Sequence, residues 1–547
     1  MGRVNIIGAG LAGLSAAIHL AKQGLPCNLI SSMPSERAQS VLAEGGINAA
    51  LDTMGEHDTP AEHFADTMRG GADLADPNAV AGLTEHAPAL VRWLFSLGAP
   101  FHMEDGTLIQ RNFGGQKKKR TAYSKSSTGK ILMTALIDEA RRYETEGLIH
   151  RLSHHLMEDL RAEDGRCTGV VIRDVYTDLL LDCPGPVILC SGGLNGLFPG
   201  LTTGTVPNTG NGTALAFSKG VELGNPEFIQ YHPTTVSIPG KRMLISEAAR
   251  GEGGRLFILR ENKPWYFMEE TYPELGNLMP RDVVSREMFL VSRRPDCGGQ
   301  VCLDLTGLPG AVWEKKLPDL REEIIHYLSI DPVTTPVPVS PGIHFFMGGI
   351  LVDESHRSSL PGLWAAGECA CQYHGANRLG GNSMLGALYG GKTAAESAGK
   401  LASVPDSEPE ALGRASADWM ADRMVSPAHT DALCAILRDG LGIVRDEDTL
   451  TAAIRRADDL LAGELTGLER ARSLLGKAML VSALERRESR GAHCRSDFPN
   501  RDNEHFRRTT AAVCRDGDLS LTFRPIPERR ISGGNPTERK PDHGTHP

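Results

Sequence analysis

An α/β fold, in which a nucleotide-binding domain of Rossmann type is interrupted by an inserted α+β domain and followed by a helical C-terminal domain, is predicted by three observations. A short apolar strand runs directly into Gly8-Ala-Gly-Leu-Ala-Gly13 and then into a segment of helical period. Between residues 227 and 340 prolines, aromatic residues and charges interrupt the periodicity, which marks an insertion. From residue 408 to about 490 the pattern is helical. A chain of 547 residues has room for two to four domains at roughly 150 residues each. The division expected is 1–226 with 341–403 for nucleotide binding, 227–340 for the insertion, 404–524 for the helical domain, and a polar, disordered tail over 525–547.

Each element has a local reason. Arg3 to Ile7 reads as a strand, and Leu14 to Gly24 as the helix that follows the glycines. In that context Gly8 permits a tight turn, Gly10 lets backbone approach a pyrophosphate, and Gly13 allows helix and strand to pack closely. The helix N-terminus then faces the phosphates. A second strand, Cys27 to Ser31, ends in Ser31-Ser32 where an acidic residue for a ribose hydroxyl is often found. Ala43-Glu44-Gly45-Gly46 brings backbone close to a neighbour, and residues 60–99 and 130–142 are helical. The basic run Lys117 to Lys119 reads as a solvated loop. Residues 145–190 alternate as strands and turns up to Pro186-Val-Ile-Leu-Cys-Ser-Gly-Gly193, a further strand end of the nucleotide-binding sheet. Thr202 to Gly212 is a Thr/Gly/Asn loop suited to phosphate or ribityl groups, and a helix follows over 213–219. Past the insertion, strand-like segments lead into His374-Gly-Ala-Asn-Arg378-Leu-Gly-Gly-Asn382-Ser383-Met-Leu385, a glycine-rich run with one permanent cation, then a helix over 386–403.

Composition excludes several classes. With 58 Lys+Arg against 68 Asp+Glu the net charge is −10, without the basic footprint of a nucleic-acid binder. No segment approaches the roughly 20 apolar residues that cross a bilayer. The first strand pattern begins too early to leave room for a signal peptide, so a cytoplasmic location is expected. The 11 cysteines form no CxxC pair, so neither a zinc site nor an iron–sulfur cluster is expected within the chain.

The motifs, in order, resemble those of the flavoprotein subunits of the succinate dehydrogenase and fumarate reductase family, to which L-aspartate oxidase is related. They are Gly8 to Gly13, Ala43 to Gly46, Phe113-Gly-Gly115, Gln230-Tyr-His232-Pro-Thr234, Glu247 to Gly254, Pro280-Arg281-Asp282, His344 with Met347-Gly-Gly349, Gly367-Glu368, His374 to Leu385 and Arg487 to His493. The resemblance implies FAD on the Rossmann-like domain, a capping domain that closes over a C4 dicarboxylate, an iron–sulfur partner subunit, and through it a membrane anchor that would place the chain at the cytoplasmic face of the membrane. It implies that His344 and Arg378 hold one carboxylate and His232 and Ser246 the other, with Phe113 beside the substrate. Arg281 would transfer the proton, with Glu247 and Arg250 as its relay, since an unassisted guanidinium is a poor acid. The cofactor would contact Gly8, Gly10, Gly13, Ser31, Ser40, Glu44, Gly45, Gly46, Asn211, Glu368, Asn382, Ser383 and Leu385.

Two departures qualify the resemblance. Many members attach FAD covalently through a histidine at the position of Gln39, and an amide cannot form that bond, so noncovalent FAD and a preference for substrate reduction are expected. Asn211 stands where the family usually has aspartate. The activity implied is interconversion of fumarate and succinate. L-aspartate oxidase is the alternative, and a non-catalytic flavin-binding electron-transfer or redox-sensing subunit is the alternative of another class.

Overall fold

The computed structural model describes residues 3–125, 127–400 and 408–530. Its central element is a five-stranded parallel sheet with strands Leu363–Ala365, Val187–Leu189, Val4–Ile7, Cys27–Ser31 and Ile149–Ser153 in that spatial order. Four of the five strands are wholly buried, as expected for a parallel sheet covered on both faces, and only Ile149–Ser153 lies partly open at the sheet edge. Helices Leu11–Ala21 and Asn382–Gly399 lie against one another here, and small residues set their spacing. A Cβ added to Gly391 would fall 2.2 Å from the Ala12 carbonyl oxygen, and Ser15 Oγ donates to the Leu388 carbonyl at 2.7 Å. The helix read from residue 386 therefore starts earlier, at Asn382; residues 401–403 of that reading lie outside the described residues.

The inserted domain is a six-stranded sheet, ordered Lys241–Leu244, Ile229–Ile238, Val337–Phe346, Cys297–Asp304, Arg255–Arg260 and Lys263–Trp265. Its core is its own: Leu256, Ile258, Phe267, Val284, Met288 and Leu303 pack together apart from the nucleotide-binding core. The two long strands Ile229–Ile238 and Val337–Phe346 pair antiparallel and are the stalks on which this cap stands. Helix Arg281–Val291 packs on them and begins at the junction with the nucleotide-binding domain.

The C-terminal region contains the expected helices, Ala417–Arg423, Pro427–Gly440, Glu447–Ala462 and Gly467–Glu485, with capping boxes at Asp446 and Thr466. It is not helical throughout. Glu410–Arg414 adds a strand to the sheet formed by Leu179–Pro184, Arg166–Asp174 and His155–Glu163. Arg508–Arg515 and Asp518–Pro525 form a hairpin. The reason is legible in retrospect: alternating Leu519, Leu521 and Phe523 follow Asp516-Gly517, both at positive φ, which is the chemistry of a tight hairpin turn. The first residues of the tail read as disordered are attached, since Asn78 Nδ2 donates to the Glu528 carbonyl at 3.0 Å and Arg530 N donates to Asn78 Oδ1 at 2.8 Å. Residues 531–547 lie outside the described residues.

Candidate active site

One cavity of about 800 Å³ extends from the glycine turn at Gly8 and Gly10 to the underside of the cap at His232, Ser246 and Arg281. The glycines are needed where they stand. Gly8 has φ +113° and a Cβ there would meet the Cys190 carbonyl oxygen at 2.2 Å; a Cβ on Gly13 would sit 1.8 Å from the Gly8 carbonyl oxygen. Gly13 therefore shapes the turn from behind and does not line the cavity, whereas Gly8, Gly10, Ser31, Ser40, Glu44, Gly45 and Gly46 do. Ser40 Oγ accepts from Leu11 N at 3.2 Å, so it already serves the first turn of helix Leu11–Ala21. Ser31 Oγ donates to the Met33 carbonyl at 2.8 Å.

Further along, Asn211, Glu368 and Ser383 also line the cavity. Asn211 opens its helix after Gly210 at φ +75°, and its Oδ1 is buried with no hydrogen-bond partner among the described residues. Glu368 Oε1 accepts from Phe346 N at 3.0 Å, and burial lifts its carboxyl to about 7 against the opposing pull of that bond and of Arg378. Burial, then the neighbouring Glu323, pushes Glu44 up to about 8. Asn382 and Leu385 are not brought to the cavity. The Asn382 amide is spent on Asn48, His63 and Thr67 at 2.7–3.0 Å, and Leu385 is fully buried in the helix core. Gln39 lines the opposite rim, where its Oε1 accepts from Thr205 N at 2.6 Å.

At the cap end, His232, Ser246, Glu247, Arg281, His344, Arg378 and Phe113 converge on the same cavity. Arg281, the first residue of helix Arg281–Val291, donates from Nε and Nη2 to Glu247 Oε2 at 2.9 and 2.6 Å. Glu247 Oε1 receives the Gly114 amide at 3.1 Å and lies 3.5 Å from Arg250 Nη2. Burial would raise the Glu247 carboxyl, yet Arg281 and Arg250 together hold it below the usual carboxylate range. Arg250 is behind Glu247, buried and outside the cavity, with Nη1 donating to the Asn277 carbonyl. Burial is the first cause that draws the guanidinium of Arg378 well below its ordinary value, with Arg281 adding to it; its Nε has no hydrogen-bond partner among the described residues and its plane lies over the Phe345 ring at 4.6 Å. His232 and His344, ring centroids 5.1 Å apart, are held neutral by burial first and by the surrounding arginines second.

Sequence reasoning missed two residues here. Gln230 is fully buried, and its Oε1 accepts from both Arg281 Nη1 at 3.2 Å and Arg378 Nη2 at 2.9 Å. Its Nε2 donates to Asn377 Oδ1 and to the Arg378 carbonyl, both at 2.8 Å. Its spacing from His232, two residues along a strand, could have placed both on one face. Thr203 Oγ1 lies 2.8 Å from His344 Nδ1, although its loop suggested only a cofactor contact. The basic run is a loop as expected, with Lys117 and Lys119 exposed and Lys118 half-buried as its Nζ donates to the Glu56 carbonyl; just beyond it Arg120 is fully buried between Asp58 and Asp66 at 2.9 and 3.0 Å.

The loop that carries Arg378 is braced from below. Arg490 Nη1 donates to the Ala72 carbonyl at 3.0 Å and Ala492 N to the Ala376 carbonyl at 2.9 Å. A Cβ at Gly491 would strike the Ala376 carbonyl oxygen at 2.6 Å, so the C-terminal region touches the Arg378 loop backbone to backbone. Buried Arg486, Glu227, Glu488 and Arg490 fix that contact as an ion network, which provides registry more than net stability.

Comparison with known proteins agrees with this geometry. The family model for an FAD binding domain matches residues 3–384, and that for the fumarate reductase flavoprotein C-terminus matches residues 468–541. The succinate dehydrogenase flavoprotein subunit of Bacillus subtilis is 35% identical over 93% of this chain and 93% of its own length. An L-aspartate oxidase of Mesorhizobium japonicum is 35% identical over 91% of this chain and 92% of its own. Among solved structures, E. coli quinol fumarate reductase FrdA superposes with a TM-score of 0.85 at 28% identity, covering 98% of both chains. The cavity fits the cofactor these matches imply, because the glycine cradle, the helix N-terminus and the unpartnered Asn211 oxygen lie along its length. The chain belongs to the succinate dehydrogenase and fumarate reductase flavoprotein family of FAD-dependent oxidoreductases.

Proposed function

We propose that this protein interconverts fumarate and succinate, favouring reduction, as the flavoprotein subunit of a larger complex. The observation that carries the reading is the buried ion triad Arg281–Glu247–Arg250, of which Arg281 and Glu247 face a cavity also lined by Arg378, His232 and His344. A four-carbon dicarboxylate needs donors at both ends. Arg378 and His344 take one carboxylate, and His232 and Ser246 the other, with Phe113 against the chain. The histidines, being neutral, contribute N–H groups, and Arg378 contributes the charge.

When bound, FAD supplies the hydride for one olefinic carbon. Arg281 delivers the proton to the neighbouring carbon, which completes the addition of two hydrogens across the double bond. Its guanidinium is then reprotonated through Glu247, with Arg250 behind it. The cofactor is held by Gly8, Gly10, Ser31, Ser40, Glu44, Gly45, Gly46, Asn211, Glu368 and Ser383, with Gly13 shaping the turn. Gln39 in place of a histidine leaves it noncovalent. An iron–sulfur subunit carries the electrons and tethers the chain to a membrane anchor at the cytoplasmic face. Among the described residues no helix is long and apolar enough to cross a membrane, which suits a chain that reaches the bilayer through partners.

Arg281→Ala is expected to abolish fumarate reduction by a reduced viologen dye while the protein stays yellow; retained turnover would remove Arg281 from its role. Acid precipitation tests the cofactor reading, since noncovalent FAD leaves the pellet colourless. The similarity to an aspartate oxidase supports a second reading, oxidation of L-aspartate. Hydrogen peroxide formed from low aspartate under air would establish that reading over the first.

A further inference from the structure

We propose that Thr203 is the positioning residue that fixes the ring proton of His344 on Nε2, making that nitrogen the donor to a substrate carboxylate. The inference rests on the reading of this cavity as a dicarboxylate site.

A neutral imidazole carries one ring proton, and its position is set by whatever the other nitrogen meets. His344 Nδ1 meets Thr203 Oγ1 at 2.8 Å. That hydroxyl has a single proton and two possible acceptors, the ring nitrogen and the Ile343 carbonyl oxygen at 3.5 Å. A hydroxyl bond at 2.8 Å is near its optimum, whereas 3.5 Å is at the limit of any bond. The proton therefore goes to Nδ1, which must be bare to accept it, and the ring hydrogen is left on Nε2. The reverse arrangement would leave the hydroxyl donating over the longer separation only. Burial together with Arg281 and Arg378 opposes a second ring proton, so the choice is between two neutral tautomers.

Thr203 can impose this choice because its own backbone is held on every side. Thr203 N donates to the Ile343 carbonyl at 2.9 Å, and Ile343 N to the Leu201 carbonyl at 3.0 Å, which ties the loop to the strand that carries His344. Thr202 Oγ1 accepts from Asn195 Nδ2 at 2.7 Å and from Gly204 N at 3.0 Å. At Gly204 any side chain would collide with Asn195, whose Nδ2 lies 2.1 Å from the position of a Cβ. Thr205 N is bound by Gln39. Among the described residues His232 has no comparable partner, since the Thr234 hydroxyl 3.4 Å from its Nδ1 donates instead to the Ile245 carbonyl at 2.9 Å.

The test compares Thr203→Val, which keeps the shape and removes the hydroxyl, with Thr203→Ser, which restores it, in the FAD-loaded protein. Binding of fumarate and of the unreactive dicarboxylate malonate is read from the flavin difference spectrum, alongside KM and kcat. Thr203→Val is expected to weaken both ligands about tenfold and to raise KM more than it lowers kcat, with Thr203→Ser within about twofold of the parent. Equal binding by parent and Thr203→Val overturns the inference, and so does failure of Thr203→Ser to restore it. Absence of dicarboxylate binding to the parent itself would refute the underlying reading instead. Should Thr203→Val not fold, ¹⁵N-histidine spectra of the parent, assigned with His344→Gln, report the tautomer directly. A proton found on Nδ1 would overturn the inference.

Discussion

Replacing Gln39 by leucine tests how the cavity rim contributes to holding the FAD proposed above to be noncovalent. The substitution keeps the side-chain volume but removes the acceptor that lies 2.6 Å from Thr205 N, a bond that joins the Gln39–Leu42 turn to the Thr202–Gly212 loop across the cavity rim. A neutral hydrogen bond of this kind contributes about 0.5–1.5 kcal/mol net. Thr205 is only half-buried, so water can reach the freed N–H, and the cost falls near the middle of that range. About 1 kcal/mol corresponds to a roughly fivefold change in an equilibrium or rate constant at 25 °C. The expectation is that Gln39→Leu releases FAD about five times faster, measured as recovery of free flavin fluorescence after dilution of the holoprotein. Thr205→Ala is the control, because the bond uses the backbone N–H and survives loss of the side chain. Unchanged release from Gln39→Leu, or equal acceleration by Thr205→Ala, would refute the assignment of Gln39 as a clasp.

Three further outcomes are expected. Glu247→Gln leaves Arg281 and Arg250 buried without their carboxylate; it should destabilise the protein by about 3–5 kcal/mol in denaturant titrations. It should also lower kcat for fumarate by at least about a hundredfold, and a full-rate variant would exclude Glu247 from the relay. Gly13→Ala, whose Cβ would sit 1.8 Å from the Gly8 carbonyl, should give little flavin-containing protein; Gly310→Ala, which meets nothing within 4 Å, should give normal yields, and equal yields from both would contradict the steric account. Glu44 is raised from 4.5 to about 8 by burial and then by Glu323, so the folded state binds more protons than the unfolded state between those values and stability falls as pH rises through that window. The melting temperature of flavin-free protein should therefore decline from about pH 5 to about pH 8, less steeply in Glu44→Gln, and an identical slope would show that Glu44 is not the group responsible.

The parts legible in the sequence were those where one residue type has one physical reason. Gly8, Gly10 and Gly13 announce a cradle because a side chain at Gly8 or Gly13 collides with backbone and one at Gly10 would crowd Ser40 beside the cavity, and a run of strand, glycines and helix leaves few other folds. Arg281, Glu247 and Arg378 were legible through the ordered motifs, and the fold brings all three to one cavity. What the linear pattern did not reveal depends on direction and partner choice. Asn382 looks like a ligand contact in sequence, yet its amide faces Asn48, His63 and Thr67 because the first turn of its helix rotates it inward. Gln230 stood in the motif with His232 but, carrying no charge, was given no role of its own, although two cations converge on its oxygen. The hairpin at residues 508–525 was hidden by its polar outer face, with Asp516-Gly517 as the only strong turn signal.

The shared oxygen of Gln230 has a mechanical consequence. Arg378 belongs to the loop braced by the C-terminal region, whereas Arg281 opens a helix of the cap, and one acceptor atom is the meeting point of the two bodies. Gln230 sits on the cap strand Ile229–Ile238, against which the Arg281 helix packs, so its 3.2 Å contact to Arg281 lies within the cap and its 2.9 Å contact to Arg378 is the one that crosses between the two bodies. The carboxamide oxygen therefore couples the position of Arg378 to that of the cap, and removing it would leave two buried guanidinium groups without the acceptor they share.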